Sequence, residues 1–142
     1  MYVLDTNVVS EIFRRTPDRN VETWLETSDL SKLYVTAITK AESLAGIARM
    51  PEGRRKQLLN LAIHAFFEKR MKTPVLAFDS RGAECFAEIV AYRHRRGLPI
   101  GEFDAQIAAI ARSYAFAIVT RNVRDFEHCG IEIVNPWEGA AT

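Results

Sequence analysis

At 142 residues the chain is long enough to bury one hydrophobic core without covalent staples, and a single domain spanning residues 1–142 is expected. Apolar residues make up 48% of it and charged residues 26%, which excludes a disordered chain. A formal net charge of +1 excludes the whole-molecule field of a strongly basic nucleic-acid binder, so any such binding must be local.

Tyr2, Val3 and Leu4 form a short β-favouring run that stops at Asp5, where Asp5, Thr6 or Asn7 can cap a helix. A second strand, Leu33 to Val35, reaches Thr36; Thr39 with Glu42 three residues on has capping-box spacing, which predicts Glu42 in a first helical turn. From Glu52 to Lys69, bracketed by Pro51 and Pro74, the residues Leu58, Leu59, Ala62, Ile63, Phe66 and Phe67 make a helical stripe, so both phenylalanines read as core. The apolar run Val75 to Phe78 ends at Asp79. Phe86, Ile89, Val90 and Arg93 mark the next helix, broken by Gly97-Leu98-Pro99. Asp104 opens a helix carrying Ile107, Ile110, Ala111 and Tyr114, and two last strands, Phe116 to Val119 and Ile131 to Val134, flank the polar stretch Thr120 to Glu127. Strands alternating with helices imply a parallel sheet between helical layers, with ligands gathering beyond the carboxyl ends of the strands.

That geometry allows Asp5, Glu42, Asp104 and Asn122 to meet, although Asp5 is equally readable as a helix cap and Glu42 as half of a capping box. Crowded carboxylates raise one another's pKa and are tolerated where a divalent cation neutralises them. Oxygen ligands without thiolate or imidazole point to Mg²⁺ or Mn²⁺, and the chemistry they suit is phosphodiester hydrolysis.

The segments VLDTNVVSE at 3–11, ITKAES at 38–43, EFDAQIAAIA at 102–111 and IVTRNVRDF at 118–126 together resemble the signatures of the PIN domain, and the closing VNPW at 134–137 is similar to the VapC/FitB branch of toxin–antitoxin nucleases. The resemblance covers essentially the whole chain. It implies a PIN-like three-layer α/β/α fold with a central, mainly parallel sheet flanked by helices, and a metal-dependent endoribonuclease acting as a toxin. Asp5 and Asp104 would be the metal ligands, Glu42 would complete the acidic trio, and Asn122 would stand fourth, where many family members have Asp. One negative charge fewer weakens the case for a second ion. Asp125 and Glu102 are the neighbours that could make up the charge, Thr6 and Thr120 those that would steady the acids or a water.

The resemblance further implies an RNA substrate, a VapB/FitA-like antitoxin laid across the cleft, operator DNA bound through that antitoxin, and a homodimer. Val8, Ile12, Phe13, Trp24 and Leu25 could line the antitoxin groove, though core burial explains them as well. Arg14-Arg15, Arg121 and Arg124 could grip phosphates; the remaining basic clusters, Arg93 with Arg95-Arg96 among them, read as solvated helix faces and ends. His64, His94 and His128 lack metal-binding spacing, Cys85 and Cys129 read as free thiols, and the absence of a run near ~20 apolar residues or of a charged leader predicts a cytoplasmic protein off the membrane.

Two rivals remain open. A phosphatase of the haloacid-dehalogenase type would use Asp5 as nucleophile, but Asn7 stands where that chemistry wants a second Asp. The other is a non-catalytic nucleic-acid or protein-binding module, against which the retained acids speak.

Overall fold

The structure, a computed structural model, describes residues 1–139; of the expected span 1–142, residues 140–142 lie outside the described residues. Strands β1 (Tyr2–Leu4), β2 (Leu33–Tyr34), β3 (Ala117–Val119) and β4 (Ile133–Val134) form one sheet in the order β2-β1-β3-β4, and every pairing is parallel. A lone parallel bridge between Thr36 and Leu76 extends the sheet beyond β2, which is all the strand structure that the run Val75 to Phe78 contributes. The helices are α1 (Thr6–Ile12), α2 (Arg19–Thr27), α3 (Ala37–Ala48), α4 (Arg54–Ala65), α5 (Ser80–Arg95), α6 (Glu102–Ser113) and α7 (Val123–Phe126).

Period-2 alternation along the strands divides the interior into two halves. Val3 and Ile118 point into a core shared with Ile89 of α5 and with Ile107 and Ile110 of α6. Their neighbours Leu4 and Val119 point the other way, onto Val8 and Val9 of α1, Val21 of α2 and Ile63 of α4. Helices cover both faces of a parallel sheet, the three-layer arrangement expected.

The single helix read from Glu52 to Lys69 is in fact α4 followed by a π-helical turn, Phe66–Arg70. Consecutive α-helical residues point about 100° apart, whereas Phe66 and Phe67 are both buried; the wider turn lets two adjacent rings enter the core. The break at Gly97 falls where α5 ends, and its φ of +71° is the left-handed conformation that glycine adopts without strain. Arg93 departs from the solvated reading. It shares the inward face of Phe86 and Ile89, is buried, and donates from Nε to the Leu98 carbonyl (3.0 Å) and from Nη1 to those of Arg124 (3.4 Å) and Glu127.

Of the five proposed groove residues, Val8 is fully buried, while Ile12, Phe13, Trp24 and Leu25 are half-buried at the edge of the second core. Ile12 and Leu25 face an apolar cleft of about 460 Å³ completed by Val21, Leu33, Phe66 and Met71. Cys85 and Cys129 are free thiols. Among the described residues no helix is long and apolar enough to cross a membrane.

Ile107 has no exposed surface, so Ile107→Ala leaves a cavity and is expected to lower the unfolding free energy by about 2–5 kcal/mol in urea denaturation, with the slope unchanged. Leu61, 69% exposed, is the control: Leu61→Ala should stay within ~0.5 kcal/mol of wild type.

Candidate active site

Because β1 hands on to β2 at one side and the chain returns as β3 on the other, the crevice between the carboxyl ends of β1 and β3 is the topological switch point. Asp5 follows β1 there and Thr120 follows β3. The Asp5 amide donates to the Val119 carbonyl at 2.9 Å, and the Thr120 hydroxyl donates to Asp5 Oδ2 at 2.8 Å. Thr120 is wholly buried and spends its whole hydrogen-bonding capacity: its proton goes to Asp5, and its oxygen accepts from Asn7 Nδ2 (3.2 Å) and the Asn122 amide (3.0 Å). Asp5 Oδ1 accepts from the Thr6 amide at 2.8 Å, so Asp5 caps α1 while also lining the cleft.

Glu42 reaches the same cleft by a route that corrects the capping-box reading. The cap of α3 is Thr36, whose hydroxyl accepts from the Thr39 amide at 3.1 Å, and Glu42 therefore lies in the second turn. Its Oε1 instead accepts from the Thr6 hydroxyl at 2.8 Å, while Thr6 and Thr39 hydroxyls meet at 3.0 Å. With Thr6's one proton given to Glu42, Thr39 must donate to Thr6, which fixes the carboxylate through two buried or half-buried hydroxyls.

Asp104 sits in the first turn of α6, behind the cap residue Gly101. Asp5, Glu42, Asp104 and Asn122 line one open cleft of about 450 Å³ together with Thr6, Asn7, Ser10, Glu11, Arg14, Arg121 and Trp137. Asn122 is exposed at its edge. Glu102, Asp125, Arg15, Arg124 and the three histidines are not in its lining, although the charge of Asp125 is felt by Asp104. Asn7 and Thr39, read from the sequence only as helix-capping residues, and Glu11, given no role there, each take part in the site or line it. Asn7, Ser10, Glu11 and Arg14 follow one another at helical spacing, a polar stripe that was there to be read as the face of α1 turned to the cleft.

Burial drives the electrostatics. Asp5 is only 3% exposed, and desolvation, with smaller contributions from the charges of Asp104 and Glu42, pushes its pKa up to about 6 against the opposing hydrogen bonds from Thr120 and Thr6. Asp104 is raised too, by desolvation first and then by Asp125 and Glu42, with Arg93 pulling it back. Glu11, buried, is answered by both of its oxygens on Arg14 Nη1 at 3.1 Å. Among the described residues Asp5, Glu42 and Asp104 have no such ion pair.

A hard divalent cation fits this donor set: oxygen ligands only, mutually repelling, and left unneutralised by the protein. Among the described residues no three Asp, Glu, His or Cys side chains are grouped closely enough to hold a metal ion by themselves, so any ion here would rest on one or two carboxylates with other ligands completing its shell. That suits Mg²⁺-type binding, in which one or two carboxylates suffice and waters and phosphate oxygens supply the rest.

The PIN domain family profile matches residues 2–131. The chain therefore belongs to the PIN-domain family. It is similar over 99% of its length to the whole of VapC ribonuclease Y4jK from Sinorhizobium fredii, at 38% identity. Toxin FitB from Neisseria gonorrhoeae is 33% identical over 96% of this chain and 99% of its own. In the solved structure of FitAB bound to the IR36 DNA fragment, one chain superimposes with a TM-score of 0.91 at 33% identity, covering 96% of both chains.

A raised pKa has a consequence for stability whose sign is set. The folded chain binds the Asp5 proton more tightly than the unfolded chain, where the carboxyl has its ordinary value of 3.8. As pH rises through the interval from 3.8 to about 6, the unfolded state has released a proton that the folded state still holds, and stability falls. At ~1.36 kcal/mol per tenfold change in proton affinity, wild type should lose about 2 kcal/mol relative to Asp5→Asn between roughly pH 4 and 7 in EDTA. Urea denaturation of the two proteins along this series measures it, and a constant difference would refute the assignment.

Proposed function

We propose that the chain is a metal-dependent endoribonuclease, the toxin of a toxin–antitoxin pair, acting in the cytoplasm as one PIN domain over residues 1–142. The observation that carries the reading is the convergence of Asp5, Glu42 and Asp104 on one open cleft at the switch point of the sheet, with no protein cation paired to any of them among the described residues. Family membership and the ribonuclease names of the relatives support the same reading.

Asp5 and Asp104 would hold Mg²⁺ or Mn²⁺, with Glu42 the third acid beside them. The bound cation supplies positive charge against which a phosphate can accumulate charge and a water can ionise near neutral pH. What the chain itself does is hold oxygens still: Thr120 aims Asp5, and the Thr39–Thr6 pair aims Glu42. Asn122 contributes a neutral amide where a carboxylate would favour a second ion, which makes one cation the resting complement. An open rather than enclosed cleft admits an RNA strand whose bases are splayed away from a duplex.

The partner is a VapB/FitA-like antitoxin, through which operator DNA is bound, as FitAB binds its DNA fragment; the toxin itself is a homodimer. The apolar cleft of Ile12, Val21, Leu25, Leu33, Phe66 and Met71 offers the antitoxin a seat close to α1.

The test is cleavage of a panel of transfer, ribosomal and messenger RNAs in Mg²⁺ or Mn²⁺. Wild type should cut at least one member and stop in EDTA, Asp5→Asn and Asp104→Asn should each fall more than ~100-fold, and Thr120→Val, which keeps every ligand, about 10–100-fold. Cleavage equal in wild type and both Asn variants would leave a binding module, and a covalent adduct of an acyl-phosphate mimic on Asp5 would establish the phosphatase.

A further inference from the structure

Two arginines line the acidic cleft, and they are held in opposite ways. Arg14 is committed to the buried carboxylate of Glu11 through both oxygens. Arg121 makes no ion pair among the described residues; its guanidinium lies over the indole of Trp137, 5.4 Å from the ring centroid. That placement runs against simple Coulomb attraction, since three carboxylates without an ion pair line the same cleft among the described residues.

Trp137 is well fixed for such a task. Its amide donates to Asn135 Oδ1 at 3.0 Å, its carbonyl accepts from Asn20 Nδ2 at 2.9 Å, and its ring packs at the edge of the second core, so the indole is anchored and the exposed Arg121 comes to it. The Arg121 backbone is held as well, its amide reaching Asn7 Oδ1 at 3.4 Å. A guanidinium held over an aromatic face by a cation–π contact still has N–H groups to donate, and phosphate is the ligand that fits its planar fork.

We infer that Trp137 is a positioning residue for RNA: its indole holds the Arg121 guanidinium at the lip of the cleft, off the metal-binding carboxylates and open to a phosphate of the bound strand. The inference rests on the nuclease reading and deepens it. Arg121, not Arg14, is the phosphate contact, and Trp137 acts through Arg121 without touching RNA.

The experiment uses the RNA that wild type cuts in the panel, with kinetics in Mg²⁺ at several salt concentrations. Arg121→Ala and Trp137→Leu should each raise KM about fivefold with kcat held within about twofold, and each should reduce the salt slope of apparent affinity by about 0.7, the signature of one lost single-strand phosphate contact. The double variant should be no worse than Arg121→Ala alone, and Trp137→Phe, which keeps an aromatic face, should restore most of the affinity. A further loss from Trp137→Leu in the Arg121→Ala background would mean that the indole meets RNA itself, and a fall in kcat alone would make the pair structural; either overturns the inference. Arg121→Lys, an exposed change that leaves the fold intact, keeps the charge and gives up the planar guanidinium fork, so an unchanged KM overturns it regardless of how Trp137→Leu folds. If wild type cuts no RNA in the panel, the nuclease reading falls and this inference with it. If wild type cuts and the double variant is additive, only this inference falls.

Discussion

A carboxylate buried where charge is costly is the constraint around which the rest of this molecule is arranged. Asp5 is nearly inaccessible to water and lies within the influence of two other acids. Nothing in a hydrophobic core favours that state. What makes it tolerable is local: a backbone amide on one oxygen and a fully engaged threonine hydroxyl on the other. Those two donors come from α1 and from the end of β3, so the pairing of β1 with β3 is at once the centre of the sheet and the alignment of the site.

The same economy explains why the threonines matter. An aspartate at a strand end retains several rotamers, and a cation binding two loosely held carboxylates would have to order both. Thr120 and Thr6 remove that freedom beforehand, each through a hydroxyl whose partners are already assigned, so cation binding need not supply the ordering. Glu11 and Arg14 illustrate the opposite arrangement nearby: a buried acid answered by a protein cation is satisfied and asks for nothing more.

Much of this was legible in the sequence because strand ends and helix starts are marked by residue chemistry. The runs ending at Asp5 and at Thr120, and the helix that opens near Asp104, put their acids on the correct side of the sheet from pattern alone, and the motif resemblance tied Glu42 and Asn122 to them. Local spacing misled where tertiary contacts decided the outcome. Thr39 and Glu42 have the separation of a capping box, yet Thr36 caps the helix and Glu42 turns to Thr6, a residue 36 positions away that no local pattern can supply. Arg93 looked like one more charge on a solvated helix end, but it lies four residues beyond Ile89 on the inward face, where carbonyls of three separate residues can satisfy it. Trp137 could be read from sequence only as a candidate for stacking on bases, since its contact with Arg121 depends on where Arg121 lies in space.

Charge accounting in the cleft closes on the cation. Glu11 and Arg14 offset each other, which leaves Arg121 as the unpaired cation among the described residues lining the cleft with Asp5, Glu42 and Asp104. Were Arg121 to fold onto the carboxylates, it would satisfy them much as Arg14 satisfies Glu11, and the site would become a buried salt-bridge network with no need of a metal. The indole of Trp137 offers the guanidinium another resting place at modest strength. If the cleft takes RNA as proposed, a weak hold is the useful one, because a phosphate of the strand could displace the indole while the acids stay free. On the proposed metal-dependent reading, a neutral Asn122 leaves negative charge that a single divalent ion would offset.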